Sequence, residues 1–377
     1  MKKHLKRIAA SVSAICIAAA FGTSLTASAV SFSPNAVTSK RGTFWNQYWH
    51  NNYGNIVLDY CRSNQDYQDY LYNSSRNIRA VSTSAGFHTV DINYNDVLRM
   101  YGSNYQINQA GQCGLYNVEK AYDFLKNNGY TYSNPLYVAI NDIATYQPGG
   151  DGERENAWAA NNTIFLGMGS TNTTKESATT FNGSATDIVT HEFMHLVTGK
   201  EIGWTDYSLV STETQALMEA YSDILAELAD EQHDWKFGST LFINNTPAKD
   251  YCYRNLACPS ATNNPHLPDE PYCTTYQEFM QFIANNPNYT NFAAVGSTVI
   301  SHAAYLMHEK GYSDQALAKI WLKSISKYTT GTNASFADCR QAFYEAAIEV
   351  LSQIGGRYYI AQVFDLMTAF DEVGVYE

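Results

Sequence analysis

His191-Glu192-Phe193-Met194-His195 decides how this chain is read. It is an H-E-x-x-H motif, and its context is helical. Ser184-x-x-Asp187 has the form of a capping box, Ile188, Val189 and Leu196 supply apolar positions, and Gly199 stands where a helix would stop. On a helix, residues four apart share a face. His191 and His195 would therefore point the same way, as two ligands of one tetrahedral ion must. Glu192, beside the first histidine, would reach a water on that ion and act as general base.

A site of this kind needs a third ligand. Thr212 to Leu228 has the spacing of a second helix and contains Glu219-Ala220-Tyr221-Ser222-Asp223. Glu219 and Asp223 lie four apart on one face. Glu219 would complete a His₂Glu site for Zn²⁺ with an open fourth position. Asp223 would accept the free ring N–H of a metal-bound histidine, fixing its tautomer.

Working outward, the flanks differ in character. Asn55 to about Thr180 carries alternating and aromatic runs broken by Gly, Asn and Pro, as in Pro135 to Ile140, and reads as strand-rich. Within it, Asn117 to Asn127 has helical spacing. From about Gly183 the pattern turns helical: 184–197, 212–228, 299–308, 314–327, 336–353 and 359–370. Tyr251 to Thr290 reads as a Pro- and Asn-rich insertion between helices. Ser31 to Arg41 reads as a loose, polar start.

The first 29 residues have the form of a signal peptide. Lys2, Lys3, Lys6 and Arg7 form a basic start, Ile8 to Phe21 an apolar run, and Ala27-Ser28-Ala29 a small-residue cleavage site. Removing four basic and no acidic residues takes the formal charge from −12 to −16. So acidic a chain repels nucleic acid and anionic membrane, and no later stretch is apolar enough to span one. The expected product is secreted and extracellular, with a protein or peptide as its partner; nothing in the sequence speaks to oligomeric state. Six cysteines remain after cleavage, Cys61, Cys113, Cys252, Cys258, Cys273 and Cys339. An even count in an exported chain favours disulfides, with at least one pair expected inside Cys252–Cys273.

Four segments together resemble the thermolysin family of zinc endopeptidases. They are the two helices just described, Asn156-Ala157-Trp158, His233 to Gly238, and the C-terminal run Ala369 to Val375. The resemblance implies an α+β, two-lobed zincin fold. A β-rich N-lobe would take residues 30–183. Residues 184–377 would hold the zinc helix, set between the lobes, and a mainly helical C-lobe. It implies an endopeptidase that binds one Zn²⁺ through His191, His195 and Glu219. Asn156 and Ala157 would hold the substrate backbone as an added strand, Arg254 would bind a substrate carbonyl, and Ile188, Phe237 and Tyr253 would line a pocket for an apolar side chain. No long pro-region of the family's kind is expected ahead of the catalytic region.

The departures from the family pattern carry equal weight. Its oxyanion-stabilising histidine falls on Ala294 and its tyrosine on Val210. Tyr207 and His266 are candidates to supply the missing donor, while His302 reads as a helix-face histidine. Ca²⁺ stays open: Asp187, Asp230 and Asp234 match acidic ligand positions, but Lys236 and Ser239 fall on two others. Two functional readings follow, a working metalloendopeptidase and a catalytically impaired zinc-binding extracellular module of the same fold.

Overall fold

The computed structural model describes residues 37–48, 54–64, 69–82, 88–89, 103–141, 152–354 and 356–376. The expected signal peptide, 1–29, lies outside them. Among the described residues no helix is long and apolar enough to cross a membrane.

The N-terminal half is built from strands and one long helix. Strands β1 (Val37–Asn46), β2 (Gly54–Ser63) and β3 (Asp69–Tyr70) form a three-stranded antiparallel sheet in that order. The register runs from Val37 opposite Ser63 to Asn46 opposite Gly54. Ile56 and Leu58 face the core while Trp45 and Val57 face outward, the period of two that a half-buried ribbon requires. Val37 to Arg41 is thus strand, not the loose start expected: its polar side chains sit on an exposed ribbon whose pairing comes from the partner strand.

A second sheet holds β4 (Tyr72–Asn73), β5 (Ile78–Ser82), β6 (His88–Thr89), β7 (Leu136–Asn141), β8 (Ala157–Ala160) and β9 (Thr163–Gly167). Its order is β4-β5-β7-β9-β8, with β6 paired to β5. Strands β5, β7 and β9 run parallel, and β8 closes the edge antiparallel to β9. The crossover from β5 to β7 passes through helix α1 (Ser103–Asn127), longer than the Asn117–Asn127 segment its apolar spacing marks. At Gly114 the helix backbone lies so close to the sheet that an added Cβ would meet Leu166 at 3.1 Å and Val138 at 3.2 Å.

The remainder is helical: α2 (Thr186–Ile202), α3 (Thr212–Ala229), α4 (Tyr276–Asn285), α5 (Phe292–Glu309), α6 (Asp314–Ile325), α7 (Phe336–Ile354) and α8 (Tyr359–Glu372). Between α3 and α4 a two-stranded ribbon pairs β10 (Lys236–Phe237) with β11 (Arg254–Asn255). Helix α4 lies inside the stretch read as insertion. Its start is a full capping box, Thr275 with Glu278, and Phe279 packs over Gly296 of α5, where an added Cβ would meet the ring at 2.4 Å.

Helix α2 is buried on nearly every side. It packs against α1, β8 and β9 on one hand and α3 on the other. One hydrophobic cluster runs from Ile56 in β2 through Phe193 and Tyr221 to Phe370 and Val375 at the C-terminus. The architecture is α+β, a β-rich region and a helical region meeting on α2.

Candidate metal centre

The start of α2 differs from the expected capping box. Ala185 is the N-cap and no side chain caps it. Ser184 Oγ donates to the Phe181 carbonyl, and the Asp187 carboxylate accepts from Ile188 N (2.8 Å) and Gly238 N (2.7 Å). Gly199 does not end the helix. Gly203 does, with φ +86°, a left-handed value that favours glycine.

His191 and His195 point into one spot from successive turns. Their Nε2 atoms are 3.1 Å apart and their rings nearly perpendicular, at 85°. Helix α3 brings Glu219 opposite, one carboxylate oxygen 3.5 Å from each Nε2. The helix starts on Ser211, whose side chain accepts from Thr214 N. Two imidazole nitrogens bound at about 2.0–2.1 Å in a tetrahedron would stand about 3.3 Å apart. The three donors therefore fit a metal ion: their ligand atoms lie within 4.8 Å of one another, the one such grouping of three or more among the described residues.

Behind this triad stands a charged network. Asp223, fully buried, has Oδ1 2.9 Å from His191 Nδ1. Arg254 donates to both Asp223 oxygens, through Nε (2.7 Å) and one Nη (2.6 Å), and lies 3.3 Å from Glu219. Ser222 Oγ is 3.3 Å from His195 Nδ1, a contact the motif reading did not anticipate. Burial works against the Glu219 carboxylate, but His191, Arg254 and His195 outweigh it and hold its pKa down at about 2. Glu192 is buried beside His191. Burial pushes its pKa up to about 7, so it is poised to exchange a proton near neutrality.

The residues around the triad sort into those gathered and those not. Tyr207 lies in a 3-10 turn between α2 and α3. Its hydroxyl donates to Glu219, and its ring centroid is 6.4 Å from that of His195. Val210 ends the same turn. Ala294, in the first turn of α5, is buried and brings no donor. His266 packs between Phe242 and Tyr253, with ring centroids at 5.6 and 5.9 Å. His302 Nδ1 is 2.9 Å from the Leu256 carbonyl, on the face of α5.

Asn156 precedes the edge strand β8, and its carbonyl accepts from Gly167 N. This close approach needs a glycine, since a Cβ at Gly167 would meet the Arg154 carbonyl at 2.3 Å. Ala157 and Tyr253 pack against a small cluster that includes Ile188 and Phe237.

Two readings find no support among the described residues. Asp187, Asp230 and Asp234 form no cation grouping: Asp187 is engaged by backbone N–H groups, and Asp234 accepts from Ser239 Oγ and Lys236 N. Calcium is therefore unsupported. The six described cysteines are all free thiols, and no bridge joins Cys252, Cys258 and Cys273. Cys252 and Cys273 are buried in separate backbone contacts, with Asn263 and Val295, while Cys258 is exposed.

The fold and this arrangement define a class, an α+β two-lobed zincin in which the linking helix carries H-E-x-x-H against a downstream glutamate. Residues 209–375 match the family model described as the thermolysin metallopeptidase, alpha-helical domain. This match through the helical region supports membership of the thermolysin family of metallopeptidases. The match takes in Glu219, Asp223 and Arg254 and begins after α2. A search of curated proteins returned no match.

Proposed function

We propose that this chain is a secreted zinc-dependent endopeptidase with Glu192 as its general base, its lobes meeting near residues 183–184. The observation that carries the reading is the convergence of His191, His195 and Glu219 within 4.8 Å, with a buried Glu192 alongside. Zn²⁺ held by these three residues would supply Lewis acidity, lowering the pKa of water to about 7. Glu192 would accept a proton from the attacking water as the water oxygen bonds to the scissile carbonyl carbon, and would give that proton to the leaving amine as the C–N bond breaks. Its buried place beside His191 suits both steps, in which it would be a base first and an acid second. Tyr207 donates a hydrogen bond to the developing oxyanion in place of the donors absent at Ala294 and Val210. Asp223 and Arg254 hold His191 and Glu219 in place, and Arg254 also binds a substrate carbonyl. Asn156 and Ala157, at the open edge of the sheet, hold the peptide as an added strand.

The second reading, a zinc-binding extracellular module with impaired catalysis, draws on Ala294, which removes one expected donor. One experiment separates them. The purified chain without its first 29 residues is assayed for casein hydrolysis with and without chelator, beside Glu192→Gln. Chelator-sensitive hydrolysis lost in the variant supports the peptidase. Bound zinc with no hydrolysis in either protein supports the module.

A further inference from the structure

Phe237 lies against the metal triad in a way that no role described so far accounts for. Its ring stacks on the His191 ring, with centroids 4.6 Å apart and planes at 29°. The Arg254 guanidinium carbon lies 4.6 Å from the same ring centroid. The ribbon produces this, because Phe237 and Arg254 stand directly opposite each other in the β10–β11 register. Phe237 is 4% exposed.

The ring is seated by α2 itself. Asp187, one turn before His191, accepts from the backbone N–H of Gly238 at 2.7 Å. Gly238 has φ +74°, and a Cβ there would meet Tyr253 at 2.3 Å, so the backbone after Phe237 admits only glycine without rearrangement. The helix that carries His191 thus also grips the backbone that presses an aromatic face on that ring.

We propose that Phe237 is a positioning residue for the metal site, fixing the plane of His191 and the place of Arg254, with Asp187 as its anchor. An imidazole has two degrees of freedom that a ligand must lose, and Asp223 at Nδ1 constrains only one edge. A ring stacked on the face blocks rotation about the remaining axis. The same face draws the Arg254 cation, which in turn grips Asp223. Outer-shell partners of this kind are worth about 10–100-fold in metal affinity.

The proposal rests on the metallopeptidase reading, and its test separates the two. Zinc affinity is measured by chelator competition, and the visible spectrum of the cobalt-substituted protein is recorded, for wild type, Phe237→Leu, Phe237→Tyr and Asp187→Asn. Phe237→Leu should weaken zinc on the order of tenfold and shift the cobalt spectrum, with kcat reduced more than KM is raised. Phe237→Tyr keeps the ring and should restore both affinity and spectrum. Asp187→Asn should follow Phe237→Leu in direction. A Phe237→Leu protein with wild-type zinc affinity and cobalt spectrum, altered only in which side chain it accepts, would make Phe237 a pocket wall and overturn the proposal. If Phe237→Leu fails to fold, Phe237→Tyr and Asp187→Asn still decide: a weakened Asp187→Asn beside an intact Phe237→Tyr supports it, and two unchanged proteins overturn it. A wild type that binds no zinc overturns the metal reading itself.

Discussion

His191 and His195 aim two ring nitrogens at each other across 3.1 Å, an arrangement that a shared cation relieves. Removing any of His191, His195 or Glu219 leaves two protein ligands, too few for a stable site. Each alanine variant should therefore lose the single equivalent of zinc expected by metal analysis. Glu192→Gln should keep the metal and lose about 10²–10⁴ in kcat, as removal of a general base does. Tyr207 can be tested on the same terms. Tyr207→Phe removes the hydroxyl that donates to Glu219 and should cost about 10²–10³ in kcat with KM little changed. A variant as fast as wild type would show that Tyr207 only buttresses Glu219. The histidines, Glu219 and Asp223 were legible from spacing, because i and i+4 on a helix fix a shared face. The contacts that Ser222 and Phe237 make with His195 and His191 were not: each arises from the angle between elements, which no local pattern encodes.

At the scale of elements, the site depends on how α3 begins. Ser211 caps it, accepting from Thr214 N, and Thr214 Oγ1 in turn donates to the Ala334 carbonyl at the start of α7. Ser211→Ala should cost about 1 kcal/mol of stability, read as a lower midpoint in urea with an unchanged slope. Helices α3, α6, α7 and α8 are legible to within a few residues, since 3.6-residue periodicity survives burial on one face. Four extend beyond or escape what their spacing marks. Helix α5 starts at Phe292, about two turns before Val299, the intervening Gly296, Ser297 and Thr298 being weak helix formers. The spacing marks helix α1 only from Asn117, although it starts at Ser103, because Ser103 to Gln112 is polar and Gly-bearing. Helix α4 hides in a Pro-rich stretch and is short. Helix α2 ends at Gly203, not Gly199, because Trp204 and Ile202 are both buried and carry the turn into the core.

At the scale of the whole molecule, buried carboxyls make stability depend on pH. Glu119 of α1, 8% exposed, accepts from Asn73 Nδ2 at 2.8 Å, and burial pushes its pKa from 4.5 to about 7. A carboxyl whose folded pKa is raised stabilises the fold below the unfolded pKa and loses that contribution as pH rises through the folded one. Stability should therefore fall between about pH 4.5 and 7 by up to about 3 kcal/mol from this group alone. Glu119→Gln keeps an acceptor for Asn73 and should flatten that slope, raising Tm at pH 8 while leaving Tm near pH 4.5 close to wild type. Equal pH slopes in the two proteins would reject the assignment. A strand-rich half followed by a helical half is legible in the contrast between alternating and helical patterns, while the placing of α2 between them is what the family resemblance implies. Strand order did not, because β5, β7 and β9 pair in parallel across long crossovers.

Helix α2 has almost no outward face, and both halves of the molecule close over it. Most of its residues from Thr186 to Thr198 are buried. Deuterium should reach Val189 to Val197 only when the entire chain opens, so these amides should be the slowest to exchange in the protein. The free energy read from them should equal the global unfolding free energy, and a metal that binds the folded state should slow them all by one common factor. The segment that carries His191 and His195 would then double as an internal gauge of how tightly the molecule is folded.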